Sequence, residues 1–455
     1  MQNDLKTIAP GLFELNGKPS VGLAFPQAMQ HVLAMLAGNI TPPILLVAAL
    51  GLDEASKVLL IQAAMIIGGI TTLLQLYPVW KFGMGLPNVM GVAFAYMPVL
   101  LAIGINDGIE AVFGAQLIAA FASIFIGLGI GKIRRFFPPV VSGTVVLAIG
   151  LSLYGTALTY MVGGSNAAAD MKGHPFFWII AAVTLIVTLY CNFFGKGYVK
   201  VSGMIIGMGA GYLLALLLPL VMGSDPGAPH RIDFSAVTNA SWIALPKILP
   251  FGMKFVPSAI ISMIMMYIVQ AVQTIGDVSS TAIGGFKREA SDGEIGGAIM
   301  GQGICGMLGA VIGGLPTDPY SQNVGLIVTS KVIAKRVFLI VGLLMLLAGL
   351  CPVFGAIMTT IPQAVLGGAT VTVFAAITMS GIQLITEQPM NYRNKMIVGI
   401  ALALAVGVNG TAATSLQFAP QIVKDLIGSS PIVLAFLVAF ILNIIVPEDN
   451  TPEED

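Results

Sequence analysis

Long apolar runs alternate with short polar breaks along almost the whole chain. A helix needs about 20 predominantly apolar residues to cross a bilayer. On that basis the pattern predicts fourteen spans, at about 26–50, 57–77, 85–104, 110–131, 139–158, 176–194, 201–222, 255–276, 294–313, 316–333, 337–358, 362–385, 395–412 and 430–447. The third and tenth are poor helices at their starts, where Gly85-Leu86-Pro87 and Gly314-Leu315-Pro316 are followed by mixed residues. Proline removes a backbone donor and glycine loosens a helix. Irregular backbone at membrane depth is tolerated only where protein covers it or where it lines a cavity. The polar stretch 316–331, Pro-Thr-Asp-Pro-Tyr-Ser-Gln-Asn-Val-Gly-Leu-Ile-Val-Thr-Ser-Lys, is therefore the first candidate for a binding site.

The two halves of the chain echo each other. Besides the repeated Gly-Leu-Pro, Pro138-x-x-x-x-Gly143 recurs as Pro362-x-x-x-x-Gly367 at a similar offset. Seven spans per half is an odd number, so the second copy would insert upside down. Broken segments at matching positions of inverted repeats point to a transporter's midplane site. The expected fold class is an all-α membrane protein with fourteen segments in a 7+7 inverted repeat.

Composition agrees with a multi-span reading. The chain is 56% hydrophobic and 9% charged, with mean hydropathy +0.93, against about 25% charged residues in soluble domains. Net charge is zero, which implies no nucleic-acid partner. With the N-terminus in the cytoplasm, fifteen of the 21 Lys and Arg residues fall inside, as positive charge does. Both termini are then cytoplasmic, and 223–254, with Asp225, His230, Arg231 and Asp233, is an external loop. It is either simply solvated or a lid over the entrance. The first 20 or so residues are polar, so no signal peptide is expected. The acidic tail 448–455 is expected to be disordered. Cys191, Cys305 and Cys351 are widely separated and read as buried small hydrophobes, without metal or disulfide spacing. No HExxH, P-loop or GxSxG is present, so neither an enzyme nor a cofactor is expected.

Four clusters place polar residues inside spans, where they are costly and mark function by default. Gln30-His31 in the first span offers either a proton carrier or a neutral interhelical hydrogen bond. Gly85–Tyr96 reads as a kinked packing helix or as an extended piece whose backbone meets a flat polar ligand, with Phe94 stacking on its ring. Gln270, Gln273 and Asp277 lie at i, i+3 and i+7 and so share a helix face; glutamine amides can donate to and accept from the edge of a base. In 316–331, Gln322 and Asn323 add amides, and Asp318 and Tyr320 flank the break. A helix beginning near Ser321 would aim its leading N–H groups at the midplane.

Gln322-Asn323-x-Gly325-x-x-x-Thr329, Gln273-x-x-Gly276-Asp277, Gln30-His31-Val-Leu-Ala-Met and the Phe94 segment, in this order, resemble the nucleobase–ascorbate transporter family. The resemblance covers essentially the whole chain, and Gln322 is similar to the xanthine and urate permeases of bacteria. It implies a core domain (26–131 and 255–358) and a gate domain (139–222 and 362–447), with short strands in segments three and ten crossing at the midplane. The 1–25 segment is an N-terminal extension. The resemblance also implies uptake of a purine nucleobase by proton (or sodium) symport, an elevator-type movement, a bacterial inner membrane and a homodimer. Carried over by position, Gln273, Gln322 and main-chain groups near Ala93, Phe94 and Ser321 bind the base. Asn323 and Gly325 shape the site, and Asp277 and His31 support transport. Three positions depart from the family: Gln273 and Gln302 stand where acids are usual, and Asp318 stands where a hydroxyl is usual. Either Asp277 or Asp318 then carries the coupling proton, or coupling is lost. The alternatives are an uncoupled facilitator, a uracil permease, a sulfate- or bicarbonate-type anion transporter of the same architecture, and a sensor that binds without transport.

Overall fold

The computed structural model describes residues 11–133, 138–164, 167, 171–222, 232, 234–419, 424 and 431–447. Lys6, Arg134, Arg135, Asp225, His230, Arg231, Asp233 and the acidic tail lie outside the described residues. The helices are α1 (Val21–Leu50), α2 (Glu54–Leu76), α3 (Met97–Asp107), α4 (Ile109–Leu128), α5 (Pro139–Met161), α6 (Pro175–Phe194) and α7 (Gly203–Met222), followed by α8 (Pro257–Phe286), α9 (Asp292–Ile312), α10 (Ser321–Ser330), α11 (Lys335–Gly349), α12 (Gln363–Thr386), α13 (Tyr392–Ser415) and α14 (Pro431–Ile445). Among the described residues eight helices are long and apolar enough to cross a membrane, or nine if a bent pair counts as one.

Local chemistry explains the boundaries. The Asp53 carboxylate caps α2 by accepting from Ser56 N at 2.9 Å. A Ser291–Glu294 capping box opens α9, and Gly313, at φ 79°, closes it, as the left-handed C-cap requires. Three boundaries differ from the apolar pattern. Helix α1 starts at Val21 rather than 26, because its first turn precedes the apolar run. Helix α8 continues ten residues past the expected 276, to Phe286, on residues such as Gly276, Asp277 and Ser279 that are weakly apolar yet helical. The expected single span 337–358 is broken: α11 ends at Gly349 and the chain turns by 78° into a short helix, Pro352–Thr359. Pro352 forces Cys351 out of the helical region, and Cys351 is extended at φ −106°, ψ 96°, as a residue before proline should be.

Helices pack as two sets. In one, α4 lies along α8 and α9, and α2 along α1 and α11. In the other, α5 lies along α12, α6 along α7 and α12, and α14 along α5 and α13. Glycines allow the close approaches, as small residues do in membranes. A Cβ on Gly143 of α5 would sit 2.7 Å from the Gly381 carbonyl of α12, and one on Gly69 of α2 would sit 2.9 Å from that of Gly342 on α11.

Two strands, β1 (Met90–Val92) and β2 (Thr317–Pro319), pair antiparallel with Gly91 opposite Asp318. The pairing is continued by Ala93 N to Pro316 O and by Tyr320 N to Val89 O, each 3.0 Å. Side chains satisfy the outer edge of β1, whose backbone has no water to turn to. Asn39 Oδ1 accepts from Val92 N at 2.7 Å, and Thr72 Oγ1 accepts from Met90 N at 2.9 Å. Each strand feeds a helix: β1 leads through the turn Phe94–Tyr96 into α3, and β2 leads through Tyr320 into α10. The described part of the 223–254 loop is tied down, with Ala244 N bonded to Leu350 O, Leu249 N to Val311 O and Lys254 N to Glu110 O.

Candidate functional site

The α8 face predicted from spacing meets β2 and the start of α10. Gln270 Nε2 donates to Asp318 Oδ2 at 2.8 Å, and Gln273 Nε2 reaches the same oxygen at 3.3 Å. One turn on, Ser321 Oγ donates to Asp277 Oδ1 at 2.8 Å. Gln270, Asp277 and Asp318 are buried, Gln273 is half-buried, and Ser321, Gln322 and Gly325 are exposed. Neither carboxylate has a basic partner among the described residues. A buried carboxylate without a cation depends on its hydrogen-bond donors. Here those are two amides and one hydroxyl. Gln270 Oε1 and Asp277 Oδ2 are buried with no protein partner among the described residues.

The remaining predicted residues surround this cluster unequally. Asn323 is fully buried and donates through Nδ2 to His31 Nδ1 and to His31 O, each 3.0 Å. His31 is also buried, its ring 4.7 Å from that of Phe338. It thus makes the interhelical hydrogen bond that was the second expectation for it. Phe94 is buried edge-to-face against Phe374 of α12, with ring centroids 5.4 Å apart. Ala93 donates its N–H to Pro316 O and accepts from Tyr96 N at 3.3 Å, so its N–H is engaged by protein while its carbonyl keeps a second lone pair. Gln322 makes no hydrogen bond among the described residues, and a Cβ on Gly325 would meet open space. Gln302 exchanges hydrogen bonds with Thr274 at 3.0 and 3.1 Å, which holds α9 to α8 without a charge.

The family model described as "Permease family" (Xan_ur_permease) matches residues 23–414. The chain belongs to the nucleobase–ascorbate transporter family of permeases. The permease is 31% identical over 416 residues to the uric acid permease PucK of Bacillus subtilis, covering 91% of this chain and 93% of that one. It is 30% identical over 457 residues to the xanthine permease XanQ of Escherichia coli, covering 96% and 94%. Among solved structures, the transmembrane domain of a cyanobacterial bicarbonate transporter, BicA, is similar with TM-score 0.57 and 16% identity, covering 92% of the permease and 97% of that chain. SLC26A9 is similar with TM-score 0.59 and 12% identity, covering 98% and 69%. At such identities the structural likeness speaks to fold alone. The chain is a multi-pass membrane transporter rather than an enzyme.

Several residues that hold the site of the permease were not singled out from sequence. Asn39 and Thr72 clamp β1. Gln116 Nε2 bridges the Gly306 and Gly314 carbonyls at 2.9 Å each, fixing the chain just before β2. Tyr96 and Tyr267 lie edge-to-face at 5.2 Å behind the cluster. The available signal was a polar residue inside an apolar run, as for Gln270.

Proposed function

We propose that the permease takes up a purine nucleobase, xanthine, urate or a related oxopurine, by proton symport with an elevator-type movement. The observation that carries this reading is the amide and hydroxyl cluster around Asp318 and Asp277, with Gln322, next in sequence to Ser321, making no hydrogen bond among the described residues. Amides read the donors and acceptors on the edges of a planar heterocycle. No fixed cation meets the cluster among the described residues, which disfavours the anion-transporter alternative, and the curated relatives carry xanthine or uric acid in their names.

In this reading fourteen segments form the 7+7 inverted repeat, both termini face the cytoplasm of a bacterial inner membrane, and two copies form a dimer. The set containing α1–α4 and α8–α11 is the moving core, and the set containing α5–α7 and α12–α14 is the gate. Gln273 and Gln322 bind the base beside Ser321, with Phe94 and Ala93 on its far side. Asn323 and Gly325 shape the pocket, His31 supports it, and Asp277 or Asp318 carries the coupling proton. Gln273 and Gln302 in place of acids favour one second reading, an uncoupled facilitator.

Uptake of radiolabelled xanthine, urate, guanine and uracil into proteoliposomes, with and without an inward proton gradient, tests both. Accumulation of one purine that a protonophore collapses supports symport. Equilibration indifferent to the gradient supports the facilitator. No movement of any base overturns the nucleobase reading.

A further inference from the structure

We infer that Asp318 and the substrate compete for the amide hydrogens of Gln273, and that a proton on Asp318 settles the competition in favour of the substrate. This deepens the nucleobase reading above and rests on it. An ionised carboxylate is an acceptor only. Asp318 gathers two amide NH2 groups on a single oxygen, Gln270 at 2.8 Å and Gln273 at 3.3 Å. Gln270 is buried and held tightly, whereas Gln273 is half-buried and held by the longer bond. Gln273, which also interacts with the Asp277 carboxylate, is thus the side chain that can leave Asp318.

A proton changes the carboxyl in two ways. It removes the charge that strengthens both amide hydrogen bonds, since bonds to ionised partners are about twice as strong as neutral ones. It also gives Asp318 a hydrogen to donate. A buried acceptor stands ready for that hydrogen on the same residue pair, because Gln270 Oε1 has no donor among the described residues. Turning the Gln270 amide over would satisfy it. Gln273 is then released, and its NH2 can donate to the exocyclic oxygen or ring nitrogen of an oxopurine. By linkage, a proton that raises base affinity is itself bound more tightly when the base is present, which is the thermodynamic content of symport. An acid on β2 thus replaces the missing acid on α8, acting through a glutamine rather than touching the base.

The surroundings leave Asp318 to titrate without a fixed counter-ion. The titratable groups that face it are Asp277 of α8, Tyr96 of the turn after β1, and Tyr320 at the head of α10. Tyr267 of α8 and Cys305 of α9 lie one neighbour further out. From α2, Thr71 Oγ1 lies 3.3 Å from the hydroxyl of Thr317 on β2.

The test is equilibrium binding of xanthine and urate to the purified full-length protein across pH, for wild type, Asp318→Asn and Gln273→Ala. Wild-type affinity is expected to rise by about tenfold or more from mildly alkaline to mildly acidic pH, within the range typical of coupled sites. Asp318→Asn, which cannot be charged, should keep one affinity apart from the ligand's own ionisation, which both proteins share. Gln273→Ala should bind weakly at every pH. Identical pH courses for wild type and Asp318→Asn would overturn the inference while leaving base binding intact. Should Asp318→Asn not fold, the proton taken up by wild type on saturation with base in weakly buffered solution decides the matter. Uptake approaching one proton supports the inference, and none overturns it. Failure of wild type to bind any oxopurine instead overturns the nucleobase reading on which this one stands.

Discussion

Asn323 grips His31 at two points: its Nδ2 lies 3.0 Å from the ring Nδ1 and 3.0 Å from the main-chain carbonyl of the same residue. One NH2 group thereby ties the first turn of α10 to α1. Because the amide donates, Nδ1 accepts and the imidazole proton sits on Nε2. Asn323→Ala leaves a buried histidine nitrogen and carbonyl without their donor. The expected cost is about 1–3 kcal/mol, seen as earlier thermal unfolding of the detergent-solubilised protein. His31→Ala should cost at least as much, since it also removes the packing against Phe338. An Asn323→Ala protein as stable as wild type would mean that the grip contributes nothing.

Tyr320 is seated in glycine. Its hydroxyl donates to Val92 O at 3.0 Å, and a Cβ on Gly91 would run into its ring. Gly91→Ala must therefore push the ring away and break that bond. Overpacking of this kind costs about 1–3 kcal/mol. Tyr320→Phe should cost only about 1 kcal/mol for the lost hydrogen bond. The double variant should cost little more than Gly91→Ala alone, because the bond is already broken; thermal unfolding of all three reads the coupling.

Asp277 and Asp318 differ in what their loss should do. Ser321 can donate to an asparagine carbonyl at 277 as it does to the carboxylate. Asp277→Asn is thus expected to keep gradient-driven accumulation, with base affinity lowered by no more than a few-fold. Asp318→Asn should equilibrate the base without concentrating it. Proteoliposome uptake at a fixed proton gradient distinguishes the two, and reversed outcomes would move the coupling proton to Asp277.

Gly325 and Gly381 are glycines for different reasons. Gly381 of α12 lies against the Leu147 and Gly143 backbone of α5. Gly381→Val must separate these helices, and reduced thermal stability and reduced recovery of folded protein are expected. A methyl on Gly325 meets open space. Gly325→Ala should leave stability unchanged or improve it by up to about 1 kcal/mol from helix propensity. Any loss of uptake in that variant would then be a loss of room for the substrate, readable as a raised KM.

Much of the arrangement was legible where the chain interrupts its own apolar pattern. Gly85-Leu86-Pro87 and Gly314-Leu315-Pro316 marked poor helix starts, with a kinked helix left open at the first, and short strands lie at both breaks. The spacing of Gln270, Gln273 and Asp277 put all three on one helix face, and that face meets β2 and the start of α10. The clamps Asn39, Thr72 and Gln116 were not legible. Each shows in the sequence only as a polar residue inside an apolar run, and the backbone group it meets, 18 to 198 residues away, is not visible there. The second half of α8 was hidden because hydropathy measures apolarity and not helicity. The bend at Pro352 was visible only as one proline inside a run that otherwise read as a single span.

The ladder joining Gly91 to Asp318 also fixes a timetable. Strand β1 emerges early during synthesis, and Asn39 and Thr72 can cover its outer edge at once. Its inner edge has no partner until residues 317–320 have been made, about half the chain later. Through that interval the nascent protein carries unpaired backbone in a lipid environment that cannot hydrate it. A chain released before β2 appears is therefore permanently unfinished at its centre, however many complete helices it already holds, and its naked strand marks it for quality control.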